Sequence, residues 1–276
     1  MTDYIDANRR LWNGLVDIHV KSDFYDVDGF LAGTETNGDI ERREVGDVAG
    51  KRLLHLLCHF GMDTLSWARA GAQVTGVDIS DKAIAAASGL ANEAGLDADF
   101  ICCDVVDTTK HVSGPFDVIF MSWGALIWIR DFPGLAKMVS SLLAPGGFFY
   151  AIEGHPMAMA ADDTWTPERG PIGLTHDYQS GEEPEGYDWG PDYADPSQTS
   201  DSPQAFEWAH GLGRVTTSLI DAGLTVDFLH EHDRIVWPMF PGMVEAGKGW
   251  WKMPPGHKHL PVSYSIKATK RQAEHG

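Results

Sequence analysis

Leu53 to Ser80 reads L-L-H-L-L-C-H-F-G-M-D-T-L-S-W-A-R-A-G-A-Q-V-T-G-V-D-I-S. It opens as an apolar run too short for a helix and passes Gly61. Met62, Leu65 and Ala68 then follow at helical spacing, and a β-rich run from Val74 to Ile79 closes the stretch. Strand, turn, helix and strand in that order make a βαβ unit. The second strand ends on Asp78, seventeen positions after Gly61. A nucleotide-binding βαβ unit places there the carboxylate that accepts hydrogen bonds from a ribose diol.

The same alternation continues downstream. Ser80 or Asp81 can cap an alanine-rich helix that runs to Gly95, and Asp99 to Cys103 is a third strand ending at Asp104. Phe116 to Ser122 is a near-continuous apolar run, as expected of a strand covered on both faces. A helix from about Phe132 to Leu143 stops at Ala144-Pro145-Gly146-Gly147, and Phe148 to Glu153 is the fifth strand. Strands alternating with helices predict a parallel sheet with right-handed crossovers. Within the opening unit, strand one is expected over Arg52 to Cys58, and the helix over Thr64 to Ala70 with Asp63 as its N-cap. Upstream, residues 3–20 have the spacing of an amphipathic helix, with Tyr4, Leu11, Leu15 and Ile18 near one face. A loop with two aromatics is then expected over Ser22 to Val27, and Asp28 to Asn37 is glycine-broken and turn-like. From Met157 to Pro203 glycine, proline, acids and aromatics replace any period, and a structureless insertion of that length suits a lid or binding loop. A helix over Phe206 to Ala222 and strands over Thr225 to Leu229 and Val262 to Ala268 complete the chain.

Composition narrows the classes of function. A chain of 276 residues that is 43% apolar can bury one sizeable core. A formal charge of −19 repels phosphate backbones and anionic lipid, so neither nucleic acid nor membrane is an expected partner. Three cysteines, two of them adjacent (Cys102 and Cys103), make no disulfide framework and point to a reducing interior. The first residues lack a signal-peptide layout and no apolar run is long enough for a bilayer, so the expected location is cytoplasmic.

A full G-x-G-x-x-G fingerprint is absent: Leu57 and His59 stand where the first two glycines would be, which counts against a dinucleotide. The combination of L-L-H-L-L-C-H-F-G, V-T-G-V-D-I-S, the strand-ending Asp104, F-D-V-I-F-M-S-W-G and L-A-P-G-G resembles the class I S-adenosylmethionine-dependent methyltransferases. The likeness is to small-molecule members with an extended lid, close over residues 48 to 156 and looser beyond. It implies an α/β, Rossmann-like, seven-stranded and mostly parallel sheet flanked by helices, with the last strand antiparallel. Residues 1–47 would form an N-terminal helical cover and 48–276 the methyltransferase domain, with a lid insertion at about 157–205. S-adenosyl-L-methionine is the implied cofactor and a small molecule the implied methyl acceptor.

Carried over by position, the resemblance puts Cys58, His59 and Gly61 beside the methionine portion of the cofactor. Asp78 would hold the ribose and Ile79 would lie against the adenine. Asp104 would accept from the adenine amino group with Val105 beside it, and Ser122, Trp123 and Gly124 would line the floor under the sulfonium. His55 replaces the family's usual acidic residue and reads more simply as a satisfied core histidine. Asp78 and Asp104 also suit a helix cap and a turn, and Trp123 also suits plain core.

Methyl transfer from a sulfonium is an in-line displacement for which positioning alone can supply roughly 7–11 kcal/mol. Aromatic faces attract the cation without hydrogen-bonding water to it. Trp12, Tyr25 and Trp123 are candidates for that wall, and Tyr178 and Tyr193 of the lid for closure over the acceptor. His155 and Glu153, at the end of the fifth strand, are candidate bases. His230 with His232, and His257 with His259, share strand faces, but no thiolate pair or H-E-x-x-H helix supports them and no metal is expected. Two other readings stay open: a nicotinamide-dependent oxidoreductase, and a non-enzymatic sensor that binds S-adenosylmethionine.

Overall fold

The computed structural model describes residues 4–247, 249–257 and 260–272. The helices are α1 (Tyr4–Lys21), α2 (Val27–Leu31), α3 (Asp39–Val45), α4 (Met62–Arg69), α5 (Asp81–Ala94), α6 (Thr108–His111), α7 (Phe132–Leu142), α8 (Pro156–Met159) and α9 (Leu212–Asp221). The strands are β1 (Arg52–Leu56), β2 (Gln73–Asp78), β3 (Ala98–Cys102), β4 (Phe116–Ser122), β5 (Leu143–Gly154), β6 (Glu185–Asp188), β7 (Gln204–Glu207), β8 (Leu224–His232), β9 (Arg234–Ile235), β10 (Val244–Glu245), β11 (Trp251–Lys252) and β12 (Ser263–Lys270).

Seven strands form the main sheet in the order β3-β2-β1-β4-β5-β12-β8. The first five pair in parallel, and β12 is antiparallel to both of its neighbours. This is the Rossmann-like arrangement that the sequence implies, last strand included. Alternation along β1 and β4 divides the core in two. Leu54, Leu56, Ile119 and Met121 join a cluster with Phe132, Leu135 and Val139 of α7 and with Val215 and Leu219 of α9. Leu53, Val118 and Phe120 join the opposite cluster with Ile40 and Val45 of α3 and Trp67 of α4. Covering on both faces is why β4 reads as an unbroken apolar run.

The cap of α5 is as expected: Ser80 accepts from the Ala83 N–H, and Gly95 ends the helix at φ 65°. The start of α4 differs. Gly61, at φ 83°, is its N-cap, and Asp63 lies inside the first turn. A Cβ at Gly61 would sit 2.7 Å from the Phe100 ring and 2.9 Å from Ala87, so both dihedral and packing demand glycine here. β1 stops at Leu56, because Leu57 and His59 take left-handed φ values of 54° and 50° and turn the chain. The first two residues of the expected final helix, Phe206 and Glu207, belong instead to β7, and α9 starts only at Leu212. β5 begins at Leu143, earlier than expected, and the Pro145-Gly146-Gly147 segment is absorbed by a register shift against β4. α2 and α3 form in the segment expected as loop and just after it. The 157–205 insertion carries its own order: α8, an Ala161–Leu174 bridge, and the strand β6, which pairs with β7.

Candidate active site

A cleft open to solvent lies at the carboxyl ends of β1, β2 and β4. That is where open α/β sheets bind ligands. His59, Asp78, Ile79, Asp104, Val105, Trp123 and Gly124 all line it, together with Trp12, Tyr25 and Tyr193.

Asp78 is buried at the tip of β2. Its Oδ2 accepts from the His59 N–H at 2.8 Å and its Oδ1 from the Ser80 N–H at 2.9 Å. The carboxylate thereby fixes the turn after β1 and the start of α5 while facing the cleft. Burial raises its pKa to about 6, against the lowering effect of those amides. Asp104 follows β3 and accepts from the Val106 N–H at 3.2 Å, which opens a short turn of 3₁₀ helix. The capping reading of both acids is therefore true as well, and it does not remove them from the cleft. A carboxylate at each of two strand tips, apolar Ile79 and Val105 beside them and aromatic rings opposite make a cradle that fits an adenosyl group.

Three expected cofactor contacts lie elsewhere. Cys58 is buried below the turn, its sulfur 2.8 Å from where a Cβ on Gly76 would be. Gly61 packs on Phe100 and Ala87. Ser122 donates to Asp63 Oδ2 at 2.8 Å and contacts His55 Nε2 at 3.4 Å. None of the three is among the cleft-lining residues. His55 is a satisfied core histidine, 2.8 Å from the Thr64 hydroxyl through Nδ1 and pushed down to about 4 by burial.

The two candidate bases are also committed. Glu153 accepts from the amides of Gly124, Ala125, Leu126 and Gly154 at 2.6 to 2.9 Å. It anchors the turn in which Trp123 takes φ 23°, a strained value that persists because its surroundings over-determine it. His155 accepts from the Met157 N–H to cap α8 and pairs through Nε2 with Glu231 at 2.9 Å. Neither lines the cleft. Tyr178 accepts from the Leu212 N–H at the start of α9 and packs on Gly211, away from the cleft.

Trp123 is held on its far side: its indole N–H donates to Glu41 at 2.9 Å, and the rings of Trp237 and Trp250 meet it edge-on. Burial lifts Glu41 to about 7. The sequence reading missed Ile5, Asn8, Leu57, Cys103, Ala125 and Trp128, which also line the cleft. Leu57 stands in the first-strand motif in place of a glycine and Cys103 directly follows β3; the others come from α1 and the loops and carry no local motif. His230 reaches Glu44 at 2.9 Å and His232 reaches Ser265 at 3.0 Å. The second histidine pair includes His259, outside the described residues, which among themselves hold no metal-ligating cluster.

Sheet order and cleft position define a Rossmann-like fold with a ligand-sized cleft at the carboxyl edge of its parallel strands. Residues 53–147 match the family model described as a methyltransferase domain. Similar curated proteins include the ubiquinone biosynthesis O-methyltransferase of Chromobacterium violaceum, 32% identical over 103 residues, which are 37% of this chain and 44% of the relative. The protein of that name from Bordetella pertussis is 31% identical over 113 residues, 40% of this chain and 46% of the relative. The chain thus spans less than half the length of these two relatives. Among solved structures, an S-adenosylmethionine-dependent methyltransferase from Mesorhizobium loti superposes with a TM-score of 0.58 at 20% identity, covering 87% of this chain and 99% of that one. A second from Listeria monocytogenes gives 0.58 at 18% identity, covering 84% and 95%. Both share the fold.

Proposed function

We propose that this protein transfers the methyl group of S-adenosylmethionine to a small-molecule acceptor bound in the same cleft. The observation that carries the reading is the pair of acids, Asp78 and Asp104, at neighbouring strand ends of one cleft whose other walls are Trp12, Tyr25, Trp123, Trp128 and Tyr193. Asp78 would hold the ribose hydroxyls, Asp104 with Ile79 and Val105 the adenine, and the turn at Leu57 and His59 with Trp123 the methionine end. The cofactor supplies an electrophilic methyl on a sulfonium. The aromatic walls favour the cation, and the cleft orients the nucleophile. Names of the curated relatives add support for an acceptor of small size. The insertion at 157–205 places Tyr193 on the cleft wall and acts as its lid.

Calorimetry with S-adenosylhomocysteine and with NAD tests the assignment: the former binds and the latter does not. Tight NAD binding with no affinity for S-adenosylhomocysteine would return the oxidoreductase reading. Cofactor binding with no methylation across amine, phenol and carboxylate acceptors would favour a sensor.

A further inference from the structure

Three segments distant in sequence meet behind the cleft wall. Asp192, in the 157–205 insertion, lies 3.1 Å through Oδ2 from His19 Nε2 on α1. His19 Nδ1 lies 2.7 Å from Nε2 of His59, in the turn after β1. Asp192 and His19 side chains are fully buried, whereas His59 lines the cleft. Tyr25 stacks on His19 and hydrogen-bonds Tyr193, closing the cluster from outside.

Proton positions follow from the partners. The amides of Ala194 and Asp195 donate to Asp192 Oδ1. Burial alone would raise this carboxyl, but His19 and those amides outweigh it and hold it below its ordinary value. Asp192 is then a pure acceptor for the proton that His19 carries on Nε2; a neutral His19 ring in that tautomer has its lone pair at Nδ1. With that tautomer, the 2.7 Å contact has His59 donating from Nε2. Nδ1 of His59 is left with its lone pair. Burial pushes His59 well below its ordinary value, which keeps the ring neutral at pH 7.

We propose that His59 accepts, at Nδ1, the proton of a phenol-class hydroxyl on the methyl acceptor, backed through His19 by Asp192. The inference rests on the methyl-transfer reading above. As the acceptor oxygen bonds the methyl, its O–H bond breaks and the proton goes to Nδ1. The S–CH3 bond breaks with its electron pair left on sulfur, as a neutral thioether. His59 becomes an imidazolium whose charge is shared through the two Nε2–H bonds toward the buried carboxylate, and it later returns the proton to water. A neutral imidazole suits an acidic aromatic hydroxyl better than an aliphatic alcohol. The rings of Trp12, Tyr25, Trp128 and Tyr193 match a flat aromatic acceptor. His19 and Asp192 are positioning residues in this scheme.

The test begins with ring-nitrogen NMR of the whole chain bound to S-adenosylhomocysteine, with signals assigned by His19→Gln and His59→Asn. Asparagine tolerates the left-handed backbone at position 59. Both rings should carry the proton on Nε2, with Nδ1 of His59 bare; a proton on that Nδ1 overturns the proposal. Asp192→Asn should lower kcat on catechol by about 10²-fold or more, with affinity for S-adenosylhomocysteine held within about twofold. The loss should shrink on 4-nitrocatechol assayed where it is already ionised. Equal losses on both phenols, or a parallel loss of cofactor affinity, overturn it. Failure of the wild-type chain to bind S-adenosylhomocysteine sinks the methyl-transfer reading itself. Binding with transfer to amines but not to either phenol sinks only the base assignment.

Discussion

Asp78 and Glu153 show how differently two buried carboxylates at strand ends are used. Asp78 shares its oxygens with two amides and still faces the cleft, whereas Glu153 is consumed by four. Hydrogen bonds to a charged group contribute about 1.5–3 kcal/mol, so Asp78→Ala should weaken S-adenosylhomocysteine binding by about 10- to 100-fold in calorimetry. The pH dependence has a definite sign. The carboxyl is raised from its model-peptide range to about 6, and ribose hydroxyls favour the ionised form, so protonation competes with the ligand below that value. The dissociation constant should rise as pH falls through about 6, approaching tenfold per unit. Glu153→Ala should act on stability instead. Leaving the amides of Gly124, Ala125, Leu126 and Gly154 without their acceptor should cost at least about 3 kcal/mol, read by urea unfolding. A Glu153→Ala protein of unchanged stability but abolished turnover would restore it as a base.

Among the elements, the turn after β1 and the β6–β7 hairpin shape the cleft. Leu57 and His59 hold the left-handed conformation that glycine would take freely, at about 1–2 kcal/mol each. The family-like turn therefore forms without the family's glycines and places an imidazole on the cleft wall. The hairpin is tied to α1 by Asn8, whose Nδ2 donates to the Phe206 carbonyl at 2.7 Å and whose Oδ1 accepts from the Phe206 N–H at 2.9 Å. Asn8→Ala leaves both backbone groups without that side chain. The expected loss is about 1–3 kcal/mol, with faster hydrogen exchange at Phe206. Unchanged exchange there would mean that the hairpin is held by ring contacts such as Tyr4 on Phe206.

At the scale of the molecule, the net charge of −19 opposes compaction, and several ion pairs among the described residues are exposed, such as Lys110 with Asp107 or Arg43 with Asp39. Salt screens the repulsion more than it weakens pairs of so little worth, so Tm should rise with added sodium chloride over the sub-molar range. A falling Tm would show that specific pairs outweigh the field. Among the described residues no helix is long and apolar enough to cross a membrane.

The legibility of the chain follows the range of the forces involved. Strands β1 to β4 and helix α5 stand in the sequence because period, cap and turn glycine are local signals. α3 escaped notice because only Ile40, Glu41 and Val45 are buried in its seven residues, too few for a period, and β6 because all four of its residues are exposed. The acids at 78 and 104 were readable for the same reason as the strands whose ends they mark. The sequence by itself determined the alternation of strands and helices, the parallel pairing it implies and the two acids at strand ends. Only the tertiary structure decided that Glu153 and His155 are tied up elsewhere, and that His19 and Asp192, 173 positions apart, stand behind His59. No periodicity encodes that meeting, because it depends on how α1 and the 157–205 insertion close over the same strand ends.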